Sequence, residues 1–428
     1  MSNFTRRNHF VAQWHQRRFL PAGLTRFFYL DLNPDTVVSS GEKKYQRRAL
    51  LRWGPDRCFY ADDLYTVKLG QWESDAIERA FFGPIDAHGK TAVEFMHDYG
   101  MRDGAHEAFN AMMRFMSAQR FRTRRGLDYL RSVINVRNQS AVLPFMARVF
   151  QANATMWTEG VWEIVRARQS RTKFIITDEP VTYYNTRVFP RSPAIRYPLD
   201  ADLKEIGTRT LFPLGLDACL VISHLQFVRD PWGKPRQSRV NARSFQSAMF
   251  DLRSIQTGRE LVQDEVRRIN LILKRRATRY IAAAEKEWLY PEDFASVTHW
   301  SKLDNDWFML PNLYCVQFSG GFMVSYKDGS GWAADEYGRT PRHRDYEDKR
   351  QRDREWKTFE KAKLAWAIKR EGCSLARDHD DWAKVNESIM RDDLARYHAE
   401  RAQANARKRA DDQRTKGRGP EAADGAAA

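Results

Sequence analysis

The sequence predicts a mainly α-helical protein with a small β-rich element, an α+β arrangement. Apolar residues recur at helical spacing along one predicted face, at Ala105, Phe109, Met112 and Met116. A longer stripe of the same period over 258–290 ends at Pro291, as helices do before proline. By contrast, the run 173–177 is short, apolar and rich in β-branched residues, and a turn-forming Asp-Glu-Pro follows it. Long amphipathic helices and a short sheet near 173–225 are therefore expected.

The remaining elements follow from local patterns. Residues 46–60 predict two short strands around a turn, residues 11–19 a short helix or extended arm, and residues 150–170 a further helix. A hairpin near 316–326 is expected to turn at Ser319-Gly320-Gly321. The predicted organisation is a basic aromatic arm (1–60), a helical core with an inserted β element at 171–225 (61–290), a hairpin segment (291–338), charged helices (339–401) and a disordered tail (402–428).

The charge of the chain favours polyanionic partners. The net charge is +16, and residues 339–428 hold 23 basic and 18 acidic residues, so +11 remains on the rest of the chain. Such a surface suits nucleic acid, an anionic membrane surface or an acidic protein, while a solvated basic surface without a specific ligand is the alternative. The hydrophobic fraction of 42% excludes global disorder. A protein partner contacted through the C-terminal helices is also left open.

Cysteine use and hydropathy predict an intracellular protein. Cys58, Cys219, Cys315 and Cys373 form no CxxC pair, so free thiols in a reducing cytosol are expected. The longest apolar candidate, 211–222, contains Asp217 and is too short to span a bilayer. These features predict a cytoplasmic location and no membrane span.

No strong catalytic or cofactor motif is present. Asp35 and Glu42 formally match a nuclease pattern in which two carboxylates hold a divalent metal, but only six residues separate them, which favours a loop. Asp304-Asn305-Asp306 offers oxygen ligands for Mg²⁺, yet the same string is typical of an exposed turn. The sequence therefore predicts no cofactor, and a divalent metal has no motif to support it.

Three separated segments together resemble a known family. They are Asn8-His9-Phe10-Val11 running on to Arg17-Arg18-Phe19, Gln119-Arg120-Phe121-Arg122-Thr123, and Phe174-Ile175-Ile176-Thr177-Asp178-Glu179-Pro180-Val181. Their order and spacing over roughly 5–290 are similar to the domain of unknown function numbered 4238. Ala12 departs from that pattern, which usually has proline there, as does His15-Gln16. The resemblance implies a bacterial-type intracellular protein, and it carries over no catalytic residues because none are established.

Polar residues beside apolar runs in these segments are the candidate site. They are Asn8, His9, Gln119, Arg122, Asp178 and Asn270. In a functional interpretation His9 is a general base or metal ligand, Asp178 orients it or holds a metal, and Arg122 clamps a phosphate. In a structural interpretation, which is favoured, Asp178 caps a turn, Arg122 pairs with it, and Gln119 satisfies loop backbone. Arg120, Arg124 and Arg125 are expected on a solvated basic face, with phosphate binding as the lesser alternative.

Two classes of function stay open at this point. The first is a nucleic-acid-binding or phosphate-processing, nuclease-like effector that uses His9, Asp178 and Arg122. The second is a non-catalytic interaction or scaffold protein whose polar cluster is structural. Whether the protein is an enzyme is not decided by the sequence.

Overall fold

The architecture was derived from a computed structural model of the chain. It describes residues 7–38, 44–62, 64, 67–69, 72–74, 81–134, 139–190, 192–239, 250–318, 321–346, 348–371, 402 and 406. The chain divides into two compact units, Met1–Trp366 and Ala367–Ala428. The part of the predicted charged helices that follows residue 371 lies outside the described residues, as does nearly all of the predicted tail.

Strands occur along most of the first unit. In chain order they are β1 (Arg7–His9), β2 (Phe27–Asp31), β3 (Thr36–Val38), β4 (Lys44–Gln46), β5 (Leu50–Trp53), β6 (Tyr60–Asp62), β7 (Val67–Leu69), β8 (Trp72–Ser74), β9 (Gly160–Arg166), β10 (Ile176–Thr177), β11 (Thr182–Tyr184), β12 (Arg209–Gly215), β13 (Ala218–His224), β14 (Gln256–Glu260), β15 (Tyr280–Ala283), β16 (Gly321–Ser325) and β17 (Gly331–Asp335).

The helices lie between groups of these strands and after them. They are α1 (Gln13–Arg17), α2 (Gly83–His97), α3 (Ala105–Phe121), α4 (Arg124–Ile134), α5 (Gln139–Thr158), α6 (Leu225–Arg229), α7 (Gln263–Arg276) and α8 (Lys349–Glu371). None of the described helices is apolar over a length sufficient to cross a bilayer. The predicted stripe of Ala105, Phe109, Met112 and Met116 is confirmed, because all four are buried on α3.

Two sheets organise the first unit, so the prediction of a mainly α protein with one small sheet is wrong. One sheet has the order β10-β15-β2-β5 and is antiparallel throughout. The other has the order β11-β12-β13-β9-β14, in which only the β14–β9 pair is parallel. The protein is therefore a mixed α/β structure. Both sheets pair strands from distant parts of the chain, and local hydrophobic periodicity does not reveal such pairings.

The second sheet replaces part of a predicted helix. Residues 150–170 were expected to be helical, but α5 ends at Thr158 and β9 begins at Gly160. A Cβ at Gly160 would meet a methyl carbon of Ile222 at 2.7 Å, so the chain turns here in close contact with β13. Every residue of β9 from Trp162 to Arg166 is buried. A strand buried on both faces lacks the alternation of apolar and polar residues by which a half-exposed strand is recognised in a sequence.

The helix predicted over 258–290 is also shorter than the stripe of apolar residues from which it was predicted. Val266, Ile269 and Leu273 are buried on α7, as expected. The helix ends at Arg276, and the next apolar residues form strand β15. Tyr280 and Ala284 therefore do not belong to the helix, and Val262 is 63% exposed just before it.

Two further local predictions are corrected. The hairpin expected near 316–326 is formed by β16 and β17, whose turn lies at 326–330. Ser319 and Gly320, where the turn was expected, lie outside the described residues. Asp304 was expected in an exposed turn, but it is buried and its carboxylate lies 2.6 Å from Arg209 Nη1. A distant arginine supplies the compensation that a buried carboxylate requires. By contrast, the strands predicted within 171–225 are confirmed as β10 to β13. Of the two strands predicted within 46–60, the first is confirmed as β5, and the second, β6, begins only at Tyr60.

Candidate functional site

The three motif segments meet in the interior of the first unit. Arg122 Nε donates to the carbonyl oxygen of Phe10 at 2.9 Å, which joins the first segment to the second. Thr123 Oγ1 and Arg120 Nη1 donate to Glu179 at 3.3 and 3.2 Å, which joins the second segment to the third. We call the residues at this meeting point, Arg120, Arg122, Thr123, Asp178 and Glu179, the polar junction.

The second segment forms a tight turn between α3 and α4. Thr123 Oγ1 accepts a hydrogen bond from the Gly126 amide at 3.0 Å, which satisfies one of the free N–H groups at the start of α4. A Cβ at Gly126 would lie 2.3 Å from the Arg120 carbonyl oxygen and 2.6 Å from Phe121 Cα. Only glycine allows the two helices to approach so closely, and this approach places Arg120, Arg122 and Thr123 side by side.

Asp178 binds the backbone at the end of α7. Its carboxylate accepts hydrogen bonds from the amides of Thr278, Arg279 and Tyr280, at 2.9, 2.7 and 2.9 Å. Burial raises the pKa of Asp178 to about 6, although these three amides oppose the shift because they stabilise the charged form. The geometry matches the turn-capping role of the structural interpretation. The partner that this interpretation gave to Asp178 is different, however, because Arg122 pairs with Asp86 instead.

Glu179 lies at the centre of the junction, and it was not among the predicted site residues. Its carboxylate accepts from Arg120, from Thr123 and, at 3.3 Å, from Thr278 Oγ1. Burial raises the pKa of Glu179 to about 7, while Arg120 and Arg125 lower it. The sequence showed Glu179 only as the middle residue of the turn-forming Asp-Glu-Pro that follows a predicted strand.

Arginines surround Glu179 on the side of α4 and α7. Arg120 Nη2 also binds Asp200 at 2.7 Å, and Arg276 pairs with the same carboxylate. Arg125 donates to the carbonyl oxygens of Pro198, Leu199 and Arg276. The expectation of a solvated face is therefore wrong for Arg120 and Arg125, which are 4% and 8% exposed, whereas Arg124 is exposed.

The remaining interior candidates also have internal partners. Arg122 Nη1 binds both carboxylate oxygens of Asp86, at 2.8 and 2.9 Å. The Gln119 amide oxygen accepts from Arg122 Nε at 2.8 Å in the amide orientation that satisfies both groups. Asn270 accepts from the Ile175 amide and donates to the Lys173 carbonyl, so it ties α7 to the chain entering β10.

His9 has a separate set of contacts. Its Nε2 lies 3.3 Å from Gln13 Nε2, and its ring packs 5.8 Å from that of Tyr60 on the paired strand β6. Burial lowers the pKa of His9. The neighbouring Asn8 is buried, and its Oδ1 has no hydrogen-bond donor in the described part of the chain. The structure thus joins Arg122 and Gln119 to each other and to Phe10, and gives His9 and Asp178 no shared partner among the described contacts. Within the same described ranges, no three His, Cys, Asp or Glu side chains are arranged to hold a metal.

Exposed cations follow one another in the sequence from β4, which pairs with β3 in a separate two-stranded sheet, to β5 of the first sheet. Lys44, Arg47, Arg48 and Arg52 are exposed on β4, on β5 and between them, and β5 is the edge strand of the described sheet. Tyr45 is 55% exposed among them. We call these five residues the basic sheet edge. The Arg52 guanidinium lies 3.9 Å above the Phe28 ring, which holds this cation at the surface.

Two described carboxylates lie beside the basic sheet edge, and the pKa of one of them, Asp35, is lowered by its hydrogen bond to Arg279 and also by the charge of Arg47. The carboxylates of Asp31 and Asp35 lie on the adjacent β2 and in the loop after it, and both bind Arg279, at 2.8 and 2.9 Å. No described carboxylate forms an ion pair with the four cations of the edge. The edge can therefore offer both positive charge and an aromatic ring to a ligand.

A family model matches residues 7–287, which include the polar junction and the basic sheet edge. The chain belongs to the DUF4238 family. This family is described as proteins of unknown function, and the match confirms the resemblance of the three segments. No curated protein and no solved structure matches the chain. The DUF4238 match ends before α8, so the segment from Trp288 onward lies outside it.

Proposed function

We propose that this DUF4238 protein binds nucleic acid through the basic sheet edge, and that its polar junction is structural. The observation that carries the proposal is an exposed aromatic ring, Tyr45, among four exposed cations. None of these cations forms an ion pair with a described carboxylate. Lysine and arginine neutralise phosphates, and an exposed aromatic ring stacks on an unpaired base. Single-stranded nucleic acid is therefore the preferred ligand.

The contacts of the junction support its structural role. Asp178 is occupied by three backbone amides, Arg122 by a carbonyl oxygen and Asp86, and Asn270 by the backbone on both sides. Buried polar groups that are satisfied in this way hold distant segments in one arrangement.

The test is binding of labelled single-stranded and duplex oligonucleotides to the full chain over a salt series. We expect the logarithm of the binding constant to fall linearly with the logarithm of the salt concentration, by about 0.7 per single-strand phosphate contact. The variant Lys44→Gln/Arg47→Gln/Arg48→Gln/Arg52→Gln should lower that slope by about 3, because four cations are lost.

A matched control removes the same charge elsewhere. Arg114, Arg187, Lys204 and Lys286 are also exposed, and their fourfold replacement by Gln should leave most of the slope unchanged. Equal losses in the two variants would mean that only total charge matters, and the edge would then be no binding site. In that case its cations serve only to prevent pairing with another sheet edge.

A phosphate-processing activity is the second candidate, and one observation favours it. The pKa values of Asp178 and Glu179 are raised to about 6 and 7, and buried carboxyls that titrate near neutrality are typical of acid–base sites. Under this candidate His9→Ala or Glu179→Gln abolishes Mg²⁺-dependent cleavage of nucleic acid while binding persists. Absence of any product with and without Mg²⁺ would reject it.

A further inference from the structure

A polar cavity of about 370 Å³ lies outside the polar junction and the basic sheet edge. One wall comes from α6 and the chain after it, including Gln226, Arg229 and Gln237. The opposite wall comes from the first half of α8, including Arg354 and Thr358. The chain after β17 completes the lining. Its volume is in the range of small-molecule sites.

Ion pairs make the walls of this cavity rigid. Arg229 Nη1 and Arg352 Nη2 both bind Glu336, at 2.8 and 2.6 Å. Arg352 and Arg339 both bind Glu355, and Arg339 also binds Asp335. The result is one alternating chain of three arginines and three carboxylates. Three members of this chain, Arg229, Arg339 and Glu355, line the cavity. The carboxylates of Asp345 and Asp230 line it as well, but Asp345 pairs with Arg344 at 3.3 Å and Asp230 accepts backbone amides.

One buried donor of the lining has no acceptor. Arg229 is 3% exposed and its guanidinium packs 4.6 Å from the Phe318 ring, yet its Nε has no hydrogen-bond partner in the described part of the chain. A buried N–H without an acceptor is unfavourable, and a bound oxygen would remove the deficit. Arg354 faces the same cavity, and its only described side-chain hydrogen bonds are to Gln351 on its own helix.

We propose that the cavity binds a small anionic metabolite with several oxygen acceptors, an organic phosphate or a carboxylate. Arg354 binds the anionic group, because guanidinium matches the geometry of phosphate and carboxylate. Arg229 Nε and the amides of Gln226 and Gln237 donate to the remaining oxygens. This site is independent of the nucleic-acid surface, since no residue is shared between them.

The test is isothermal titration calorimetry of the full chain with four probes: ribose 5-phosphate, adenosine monophosphate, citrate and inorganic phosphate. At least one organic probe should bind one to one, and it should raise the melting temperature. Tighter binding of the phosphates than of citrate would identify an organic phosphate as the ligand class, and the reverse order would identify a carboxylate. Absence of heat and of stabilisation with every probe at about 10 mM would overturn the proposal, because weaker binding has no use at metabolite concentrations.

Variants on the two walls locate the site. Arg354→Gln and Gln237→Ala change exposed side chains, so both variants should keep the melting temperature of the unliganded protein while losing about tenfold or more in affinity. Arg350→Gln is the matched control, because Arg350 is also exposed on α8 but does not line the cavity. Wild-type affinity in both wall variants would place the bound probe elsewhere and overturn the proposal. Unchanged affinity in the basic-sheet-edge variant would confirm that the two sites are separate.

Discussion

Arg122 Nε lies 2.9 Å from the carbonyl oxygen of Phe10, and this bond joins two segments that are more than a hundred residues apart in the chain. The same guanidinium binds Asp86 at the start of α2 through Nη1. Arg122 is 1% exposed, so water cannot replace these contacts. One side chain thus connects the N-terminal arm, α2 and the turn between α3 and α4.

We expect Arg122→Ala to lower the free energy of unfolding by about 3 to 5 kcal/mol, because removing one partner leaves buried acceptors without a donor. Urea unfolding followed by circular dichroism measures the change. Arg124→Ala, at an exposed position in the same turn, should stay within about 0.5 kcal/mol of wild type. Comparable losses in the two variants would contradict the role assigned to Arg122. An Asp86→Ala variant and the double variant complete a cycle that isolates the ion pair.

The pH dependence of stability should reveal Glu179. Its pKa is about 7 in the folded protein and near 4.5 when exposed, so the folded state binds the proton more tightly. This contribution to stability is fully present below pH 4.5 and is lost as pH rises through 7. Asp178, with a pKa of about 6, adds a loss between about pH 4 and 6.

The Glu179→Gln variant tests this assignment, because glutamine does not titrate. We expect its free energy of unfolding to decrease less than that of the wild type between pH 4.5 and 7.5. The difference is measured by urea unfolding at several pH values. If the two proteins show parallel pH profiles, Glu179 does not titrate near neutrality.

Asp178 also explains why the helical stripe over 258–290 misled the sequence interpretation. Residues 277–284 contain many apolar residues, so the helical period continues through them. The chain leaves the helix at Ala277, and Asp178 accepts the next three amides, from Thr278 to Tyr280. Those amides would otherwise continue the helix. A side chain a hundred residues away competes for them, and no local pattern records that competition.

The polar junction was partly predictable for a related reason. Gln119, Arg122, Asp178 and Asn270 stood out because they are polar beside apolar runs, and all four are buried. Arg120 and Arg125 were assigned to solvent because arginine is rarely buried without partners. Their partners, Asp200 and the carbonyl oxygens of Pro198 and Leu199, come from a loop whose position only the tertiary fold determines. The strand pairings of the two sheets were missed for the same reason, because only the tertiary fold determines which distant strands lie side by side.

The close approach of α3 and α4 gives a prediction with an internal control. A methyl group at Gly126 would meet backbone atoms of Arg120 and Phe121 at 2.3 and 2.6 Å, and backbone cannot move aside as a side chain can. Gly126→Ala should therefore destabilise the protein by about 1 to 3 kcal/mol, although alanine favours helix formation. Gly100→Ala, where no atom lies within 4 Å, should be nearly neutral. Thermal unfolding of the two variants is the measurement, and equal melting temperatures would show that the turn tolerates a side chain.

Tyr45 distinguishes base stacking from simple charge attraction at the basic sheet edge. Its ring is 55% exposed beside Lys44, and stacking of one base on an aromatic ring is worth about 1 to 3 kcal/mol. Tyr45→Ala should therefore weaken single-strand binding by about 5- to 150-fold at constant salt and leave the salt slope unchanged, because no cation is lost. Duplex binding should change little, since paired bases are not available to stack. Fluorescence anisotropy with matched single-stranded and duplex oligonucleotides measures both effects. An equal loss for the two ligands would mean that Tyr45 supports the strand itself, and a wild-type affinity for both would leave the edge as a purely electrostatic surface.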